Sequence, residues 1–364
     1  MLSNRELEII RNSGSDIEYL IERKNALTFV DFEMQCFNYF DKYLENKKII
    51  PWLLKTGNFT YELAIIWKMD EERWFTNPLN YFLDNVRYGF KDKKDSVINY
   101  LNLYYPIIHE ALESYHDAFF LMAVNLKLKK RELVRHYFRM IGDTIESVHY
   151  PLLKFIYDML KLCNVSPSFN KIDLISYGKI VSELSRIECF NYLLNDLLDN
   201  IALNHWRNIS QHSSYKYSEE EGDVILSYSK NKSVRLKIAD LESIMLKLNI
   251  LQQWLKLAVE FIYIDLLEYT NLSKNLKITT ESLLSQLGNV LPLRGYSIIG
   301  IDKILDNWNI KIKDNGNLGV IGFKKSIDLF YPVLKGFHFN KIKLTIELFD
   351  KHNKSIQKLF LQEQ

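Results

Sequence analysis

The sequence is poor in the residues that mark secreted and metal-stapled proteins. It has three cysteines in 364 residues, Cys36, Cys163 and Cys189, and they lie far apart without a paired spacing. This argues against a disulfide framework or a cysteine-based zinc site, and it favours a reducing compartment, the cytoplasm. The charged N-terminus also lacks the apolar core of a signal peptide.

Long apolar runs and prolines are scarce as well. A membrane-spanning helix needs about 20 apolar residues, and the best candidate, LAVEFIYIDLLEY, is short and contains Glu260 and Asp265. There are seven prolines against 22 tyrosines and 21 phenylalanines. Because proline interrupts helices, this composition favours long helices over a turn-rich sandwich. We therefore expect a soluble, mainly α-helical cytoplasmic protein.

The net charge of +2 is unevenly distributed along the chain. Residues 1–126 carry −5, residues 127–268 carry +1 and residues 269–364 carry +6. A basic segment of this kind is typical of a protein with an anionic partner. The alternative is that the basic C-terminal third docks on the acidic N-terminal third.

Hydrophobic periodicity predicts three segments. Residues 1–126 form an N-terminal helical region with polar breaks near 55–58 and 76–78. Residues 127–270 form a long helix with Gly142 and Pro151 as possible kinks, a short helix, a third helix over 188–212, a β-hairpin and a long fourth helix. Residues 271–364 form a small basic α+β domain, whose strand-like runs are YSIIGI, WNIKIKD, LGVIGF and KIKLTIELF. The turn Asp314-Asn315-Gly316-Asn317 is predicted to join two of these runs as a hairpin.

An Arg-Asn-x-x-x-His motif ends the predicted third helix, at Arg207, Asn208 and His212. The spacing alone is weak evidence. With 12 arginines and 8 histidines in a chain of this length, the expected number of Arg-x4-His matches by chance is about a quarter. A second match, Arg131 and His136, begins the first long helix and has no hairpin after it. The position of the motif in the order of elements therefore matters more than its spacing.

Residues 127–268, with this motif in this order of helices and hairpin, resemble the HEPN superfamily. These four-helix domains occur in RNA-cleaving toxins, tRNA-targeting nucleases and phage-defence proteins. The resemblance implies that Arg207, Asn208 and His212 are catalytic, without a metal or cofactor, and that the domain forms a homodimer through this face. It further implies a toxin or effector of abortive infection or of a toxin–antitoxin pair, with an antitoxin or sensor protein as partner. The flanking regions resemble no family.

The chemistry suits these residue types. RNA carries its own nucleophile, the 2′-hydroxyl, so the protein has to supply a proton shuttle and a group that stabilises negative charge. His212 can exchange the protons, and Arg207 offers a permanently charged planar fork to the phosphate oxygens. Asn208 can orient His212 or the phosphate. The expected products are a 2′,3′-cyclic phosphate and a 5′-hydroxyl.

Helical geometry restricts how these side chains meet. Positions five apart are separated by about 140° around a helix axis, so Arg207 and His212 cannot meet one phosphate from one straight helix. Either the helix ends before His212, or a second copy supplies the partner. Asn208 and His212, four apart, share a face.

Neighbouring residues have weaker assignments. His205 and the loop residues Tyr215 and Tyr217 are candidate substrate-binding residues, the tyrosines by stacking on nucleobases. Trp206 is predicted in the core, and Glu219–Glu221 in a solvated loop. Asp143 or Glu146, on the first long helix, is a candidate partner for Arg207 in the resting state.

Two alternatives remain open. The first is a HEPN domain without nuclease activity that binds RNA or a partner protein as a scaffold. The second is an unrelated helical interaction protein in which residues 207–212 match by chance. Under this second alternative, Arg207 and His212 are simply basic residues near a helix C-terminus, where the helix dipole favours positive charge.

Overall fold

The computed structural model describes residues 15–56, 59–122, 128–164, 175–229, 232–270 and 279–360. The chain is mainly helical with two small sheets, as expected. It divides into two compact units. The first comprises Met1–Lys68, Phe119–Asn125 and Asn275–Gln364, and the second comprises Met69–Ala118 and Leu126–Lys274.

This division differs from the three predicted segments, because a long helix of the N-terminal segment is grouped mostly with the second unit. That helix, α5 (Arg73–Met122), packs there by polar as well as apolar contacts. Arg87 forms an ion pair with Asp265 at 2.6 Å, and the hydroxyls of Tyr100 and Tyr104 both donate to the buried carboxylate of Asp158 at 3.1 Å. Burial is the main cause that raises the pKa of Tyr100 and Tyr104 above the usual range.

The helices before the motif unit have the following bounds: α1 Ser15–Ala26, α2 Phe29–Tyr43, α3 Ile50–Thr56, α4 Thr60–Met69 and α5 Arg73–Met122. The Thr28 hydroxyl caps α2 by accepting from the Asp31 N–H. The break expected near 76–78 is wrong, since α5 continues through Pro78 in its second turn. Its actual irregularity is at Lys93, with φ −128° and ψ 37°.

The second unit continues with α6 Lys130–Thr144, a π-helical turn Ile145–His149, α7 Tyr150–Asn164, α8 Tyr177–Leu184, α9 Glu188–Leu194, α10 Leu203–Gln211 and α11 Ile238–Asp265. The predicted single third helix over 188–212 is wrong. It is divided into α9, a 3₁₀ turn Asp196–Leu198 and α10, because Asp199 and Asn200 take left-handed φ values of 57° and 59°. Asp and Asn enter this conformation more readily than other non-glycine residues.

A three-stranded antiparallel sheet follows α10, in the order β1 Tyr215–Tyr217, β2 Asp223–Tyr228 and β3 Lys232–Lys237. The predicted hairpin is confirmed as β2 and β3. Tyr215 and Tyr217, however, lie in strand β1 and not in a loop. Pairing with Leu226 and Val224 of β2 fixes their register.

The C-terminal part of the first unit is an α+β arrangement of α12 Thr280–Val290, β4 Tyr296–Ile304, β5 Asn307–Asp314, α13 Gly319–Phe339, β6 Lys343–Phe349 and β7 Ser355–Phe360. The sheet order is β4-β5-β6-β7, with β5 and β6 parallel and the outer pairs antiparallel. Three of the predicted strands are confirmed. The run LGVIGF is not a strand, because it begins α13, and β7 was not predicted.

The predicted hairpin turn at 314–317 is also wrong. Asp314 accepts the Gly319 N–H at 2.6 Å, so this turn leads into the first turn of α13, which then crosses over to the parallel strand β6. An acidic acceptor ahead of a helix satisfies one of the free N–H groups there. The β4–β5 hairpin instead turns at Leu305 and Asp306.

Candidate active site

The motif helix α10 ends at Gln211, and His212 is its C-terminal cap, with φ −96° and ψ 6°. Ser213 then takes a left-handed φ of 51°, and the Ser214 N–H donates to the Ile209 carbonyl at 3.0 Å. This is a Schellman ending, in which glycine usually occupies the left-handed position. The helix thus ends before His212, which is one of the two expected solutions. The second copy remains a prediction.

Two contacts fix α10 on its neighbours. Trp206 is fully buried, which confirms its predicted place in the core, and its indole N–H donates to the Leu198 carbonyl at 3.3 Å. On α6, a Cβ added at Gly142 would lie 3.2 Å from the Ser210 Cβ, tighter than ordinary van der Waals contact. Glycine at position 142 therefore lets the last turn of α10 lie against α6.

Arg207 is held by a carboxylate of the π-helical turn. Its Nε–H donates to Glu146 Oε1, and the two side chains are 34% and 31% exposed. The guanidinium carbon also lies 5.8 Å from the ring centroid of Tyr177. Of the two expected partners, Glu146 is therefore the one that binds Arg207, while Asp143 lies 3.6 Å from Arg139 in an exposed pair.

Tyr177 forms the buried side of this pair. Its hydroxyl is buried without a hydrogen-bond partner among the described residues. Burial raises its pKa well above the ordinary value, and the Glu146 charge adds to the rise. The phenol therefore stays neutral, and its ring is an uncharged surface beneath Arg207. No sequence pattern signals this role, because Tyr177 only begins a short amphipathic helix.

The π-helical turn has a local cause in the sequence. Pro151 has no N–H to donate to the Ser147 carbonyl four residues earlier, and the Ser147 hydroxyl donates to the Asp143 carbonyl at 2.6 Å. The long helix therefore widens between the two predicted kink positions. Wide turns of this kind occur frequently at functional sites, and this one carries Glu146.

His149, on the same turn, is fully buried. Burial lowers its pKa to about 3, and the polar groups of Gln252 and Leu248 oppose that shift only in part. The ring is therefore neutral in the folded protein near pH 7. Protonation of this ring at low pH would therefore destabilise the turn that carries Glu146.

Asn208 and His212 are both exposed, and the His212 N–H donates to the Asn208 carbonyl at 3.0 Å. Within the described part of the chain, no hydrogen bond or ion pair involves either side chain. Nor does any hydrogen bond there join the side chains of Arg207 and His212. The motif therefore presents an accessible imidazole and amide beside an arginine that is already paired.

The three candidate substrate-binding residues, His205, Tyr215 and Tyr217, contact different parts of the unit. The His205 ring lies 5.3 Å from the Tyr228 ring, and its Nε2 lies 3.4 Å from the Ser229 hydroxyl, so it rests on the end of β2. Burial, together with the Lys232 charge, lowers the pKa of His205. Tyr215 stacks on Phe138 with centroids 3.9 Å apart, which occupies one face of its ring. Tyr217 is half-buried in β1.

Searches for similarity and for other site types give no further assignment. No family model, curated protein or solved structure matches the chain. In the described residues, no group of three or more His, Cys, Asp or Glu side chains is placed to hold a metal ion. Among the same residues, every helix is too short or too polar to cross a membrane.

Proposed function

We propose that this protein is a HEPN-type endoribonuclease that needs no metal or cofactor. It cleaves RNA through attack by the 2′-hydroxyl of the RNA itself. The observation that carries the proposal is the end of α10. There the helix stops before His212, leaves that imidazole exposed, and keeps Arg207 within the same short helix on a partner that can be exchanged.

In the proposed reaction, His212 accepts the 2′-hydroxyl proton as the 2′-oxygen attacks phosphorus. The phosphorus–O5′ bond breaks, and the leaving oxygen takes a proton from a second general acid or from water. Arg207 stabilises the charge on the non-bridging oxygens, and Asn208 orients the imidazole or the phosphate. The products are a 2′,3′-cyclic phosphate and a 5′-hydroxyl end.

Glu146 is proposed to occupy Arg207 until RNA arrives. A carboxylate and a phosphate bind a guanidinium by the same planar hydrogen bonds. A pair whose side chains are about one-third exposed is worth only about 0–1 kcal/mol after screening, so a phosphate can replace the carboxylate at low cost. Arg207 then leaves Glu146 and binds the scissile phosphate.

The arginine that works with each His212 is proposed to be Arg207 of a second copy of the chain, so that two motif helices form a composite cleft with two Arg and two His about a two-fold axis. Mixing Arg207→Ala with His212→Ala protein tests this. If the working Arg and His come from different chains, each mixed dimer has one intact pair, and about a quarter of wild-type activity returns. Activity that stays at the level of the single variants, with a monomeric wild type by ultracentrifugation, contradicts the shared site.

The cellular role is proposed to be that of a toxin or anti-phage effector, since an unrestrained ribonuclease harms its own cell. Induction of the wild type should stop growth and fragment total RNA, with 5′-hydroxyl ends at the cuts. The variants Arg207→Ala and His212→Ala should remove both effects at equal protein level. Growth and RNA that are the same for wild type and both variants would contradict the enzyme.

That last outcome would favour a scaffold without nuclease activity. One observation supports this second candidate, because Arg207 is already neutralised by Glu146. A scaffold would bind its partner equally well with either substitution at the motif.

A further inference from the structure

The four-stranded sheet of the first unit has one covered and one open face. Alternation along the strands buries one set of residues in the core with α12 and α13. These are Ile298, Ile301, Trp308, Ile310, Ile312, Leu344, Ile346 and Leu348. The intervening residues form the open face, in three rows across the strands. The rows are Ser297, Lys313 and Phe349; Lys311, Glu347 and Lys358; and Asn309, Thr345 and Phe360.

The carboxylates on this face are already bound. Asp302 lies 2.8 Å from Lys311, which lowers the Asp302 pKa. Glu347 accepts from Asn309 Nδ2 at 3.1 Å and from the Ser355 hydroxyl at 2.9 Å, and these hydrogen bonds lower its pKa as well. Both acids therefore stay ionised, and neither needs a further cation.

The other lysines of this face form no close ion pair among the described residues, although the Lys358 charge helps to lower the pKa of Glu347. Across the described ranges, Lys313, Lys343 and Lys358 on β5, β6 and β7 take part in no ion pair. The same holds for Lys351 and Lys354 in the exposed β6–β7 turn. On this face and its turn the lysines outnumber the carboxylates, and the net positive charge is complementary to a polyanion.

Two aromatic rings stand among these lysines. Phe360 is 69% exposed on β7, and Phe349 is half-buried on the neighbouring strand β6. In the parts of the chain that the structure describes, no other ring is stacked on either one. Phe360 pairs with Thr345, four residues from Phe349, so the rings are about 13 Å apart along the strands.

We propose that this open face binds single-stranded RNA, with bases stacked on Phe349 and Phe360 and phosphates on Lys313, Lys343 and Lys358. Exposed rings on adjacent strands with lysines beside them are what unpaired bases and their backbone require. Glu347, in the row between the two rings, is held by Asn309 and Ser355. The choice of RNA as the polyanion rests on the proposed function, to which the face adds a substrate contact outside the motif helix.

The test is fluorescence anisotropy of a labelled 12-nucleotide uridine RNA with the full chain carrying His212→Ala, which removes the proposed proton shuttle. In that background, Lys313→Gln with Lys358→Gln should weaken binding about tenfold at 0.1 M salt. The slope of log K against log salt should become shallower by about 1.4, since each lost phosphate contact contributes about 0.7. Phe360→Ala should weaken binding about fivefold or more.

The matched controls lie in α13 of the same unit. Lys324→Gln with Lys325→Gln removes two exposed lysines there, and Ile321→Ala removes an exposed apolar side chain. Both should change affinity less than twofold. Equal losses in the sheet and helix variants, or an unchanged salt slope in the sheet variant, would overturn the proposal. Circular dichroism melts show that each variant is folded.

The two proposals fail differently. If the wild type cleaves RNA but the sheet variant binds normally, the open face is not a binding site and the enzyme stands. If RNA binds through the sheet while Arg207→Ala and His212→Ala change no cleavage, the enzyme is wrong and the open face stands.

Discussion

The chain contains the same Arg-x4-His spacing twice, and the two copies have different settings. Arg131 and His136 both lie within α6, a regular helix from Lys130 to Thr144. Arg207 and His212 lie on a helix that ends between them, at Gln211. Because a regular helix turns about 100° per residue, the first pair is held on different faces of a continuing helix, while His212 caps its helix and the backbone leaves the helical path at Ser213.

Their surroundings differ as well. Arg131 is exposed in the first turn of its helix, whereas Arg207 is bound by Glu146 and lies over the Tyr177 ring. After His212 comes a left-handed serine and then a sheet, and after His136 the helix simply continues. The helix end, more than the residue spacing, therefore makes the second pair a candidate site.

The largest effect is expected from exchanging the two histidines for alanine. His212→Ala should reduce RNA cleavage by about 10²–10⁴-fold, since that is what general acid–base catalysis usually contributes. His136→Ala should leave cleavage within about twofold. Rates on a labelled RNA oligonucleotide measure both, and equal losses in the two variants would remove the distinction between the pairs.

The next largest effect is expected at the π-helical turn, whose Glu146 binds Arg207 of the second pair. The pKa of His149 is about 3 in the folded protein and near 6.5 when unfolded. Its contribution to stability is therefore present above pH 6.5 and is lost as the pH falls toward 3. Between pH 7 and pH 5 this group should cost about 2 kcal/mol.

Urea unfolding of wild type, His149→Gln and His149→Leu at both pH values measures this term. Both variants are less stable at pH 7, and their loss between pH 7 and pH 5 should be smaller than that of wild type by about 2 kcal/mol. A wild-type loss equal to that of the variants would show that another group titrates.

A smaller effect is expected at the helix end itself. Ser213 has a φ of 51°, which costs a non-glycine residue about 1–2 kcal/mol. Ser213→Gly should therefore raise the free energy of unfolding by about 1 kcal/mol, while Ser214→Gly, next to it, should not. Thermal melts distinguish the two, and a destabilised Ser213→Gly protein would mean that the hydroxyl itself stabilises the turn.

The smallest effect is expected at Glu146. Glu146→Gln keeps the shape of the side chain but removes the charge that competes with RNA phosphate for Arg207. Since this pair is worth about 1 kcal/mol at most, cleavage at low RNA concentration should rise by up to about fivefold. Asp143→Asn, at an exposed carboxylate just before the turn, is the control and should change nothing. A fall in rate would make Glu146 part of the catalytic machinery.

The sequence predicted the parts of this fold that depend on periodicity. The first and last long helices of the motif unit, the β2–β3 hairpin and strands β4, β5 and β6 follow apolar patterns long enough to read. The failures have local causes. Asp199 and Asn200 divide a helix by entering the left-handed region, and LGVIGF is a short apolar run that suits a helix as well as a strand.

The site was less predictable than the fold. Trp206 as core and a carboxylate partner for Arg207 followed from spacing along the helices. The contribution of Tyr177 could not be predicted, because it depends on how α8 packs on α10, and no local sequence pattern indicates that contact. The helix end was predicted at 212 and lies at Gln211, but its left-handed ending was hidden, because serine and not glycine occupies position 213.

The Arg207–Glu146 pair has a consequence for how fast RNA is captured. Opposite charges in contact form a short dipole whose field falls off quickly with distance, so the resting site exerts little long-range attraction on a phosphate backbone. In the proposed enzyme, electrostatic steering would come from the excess of lysines on the C-terminal sheet. Arrival of RNA would then be sensitive to ionic strength, while the chemical step at the motif would depend on it much less.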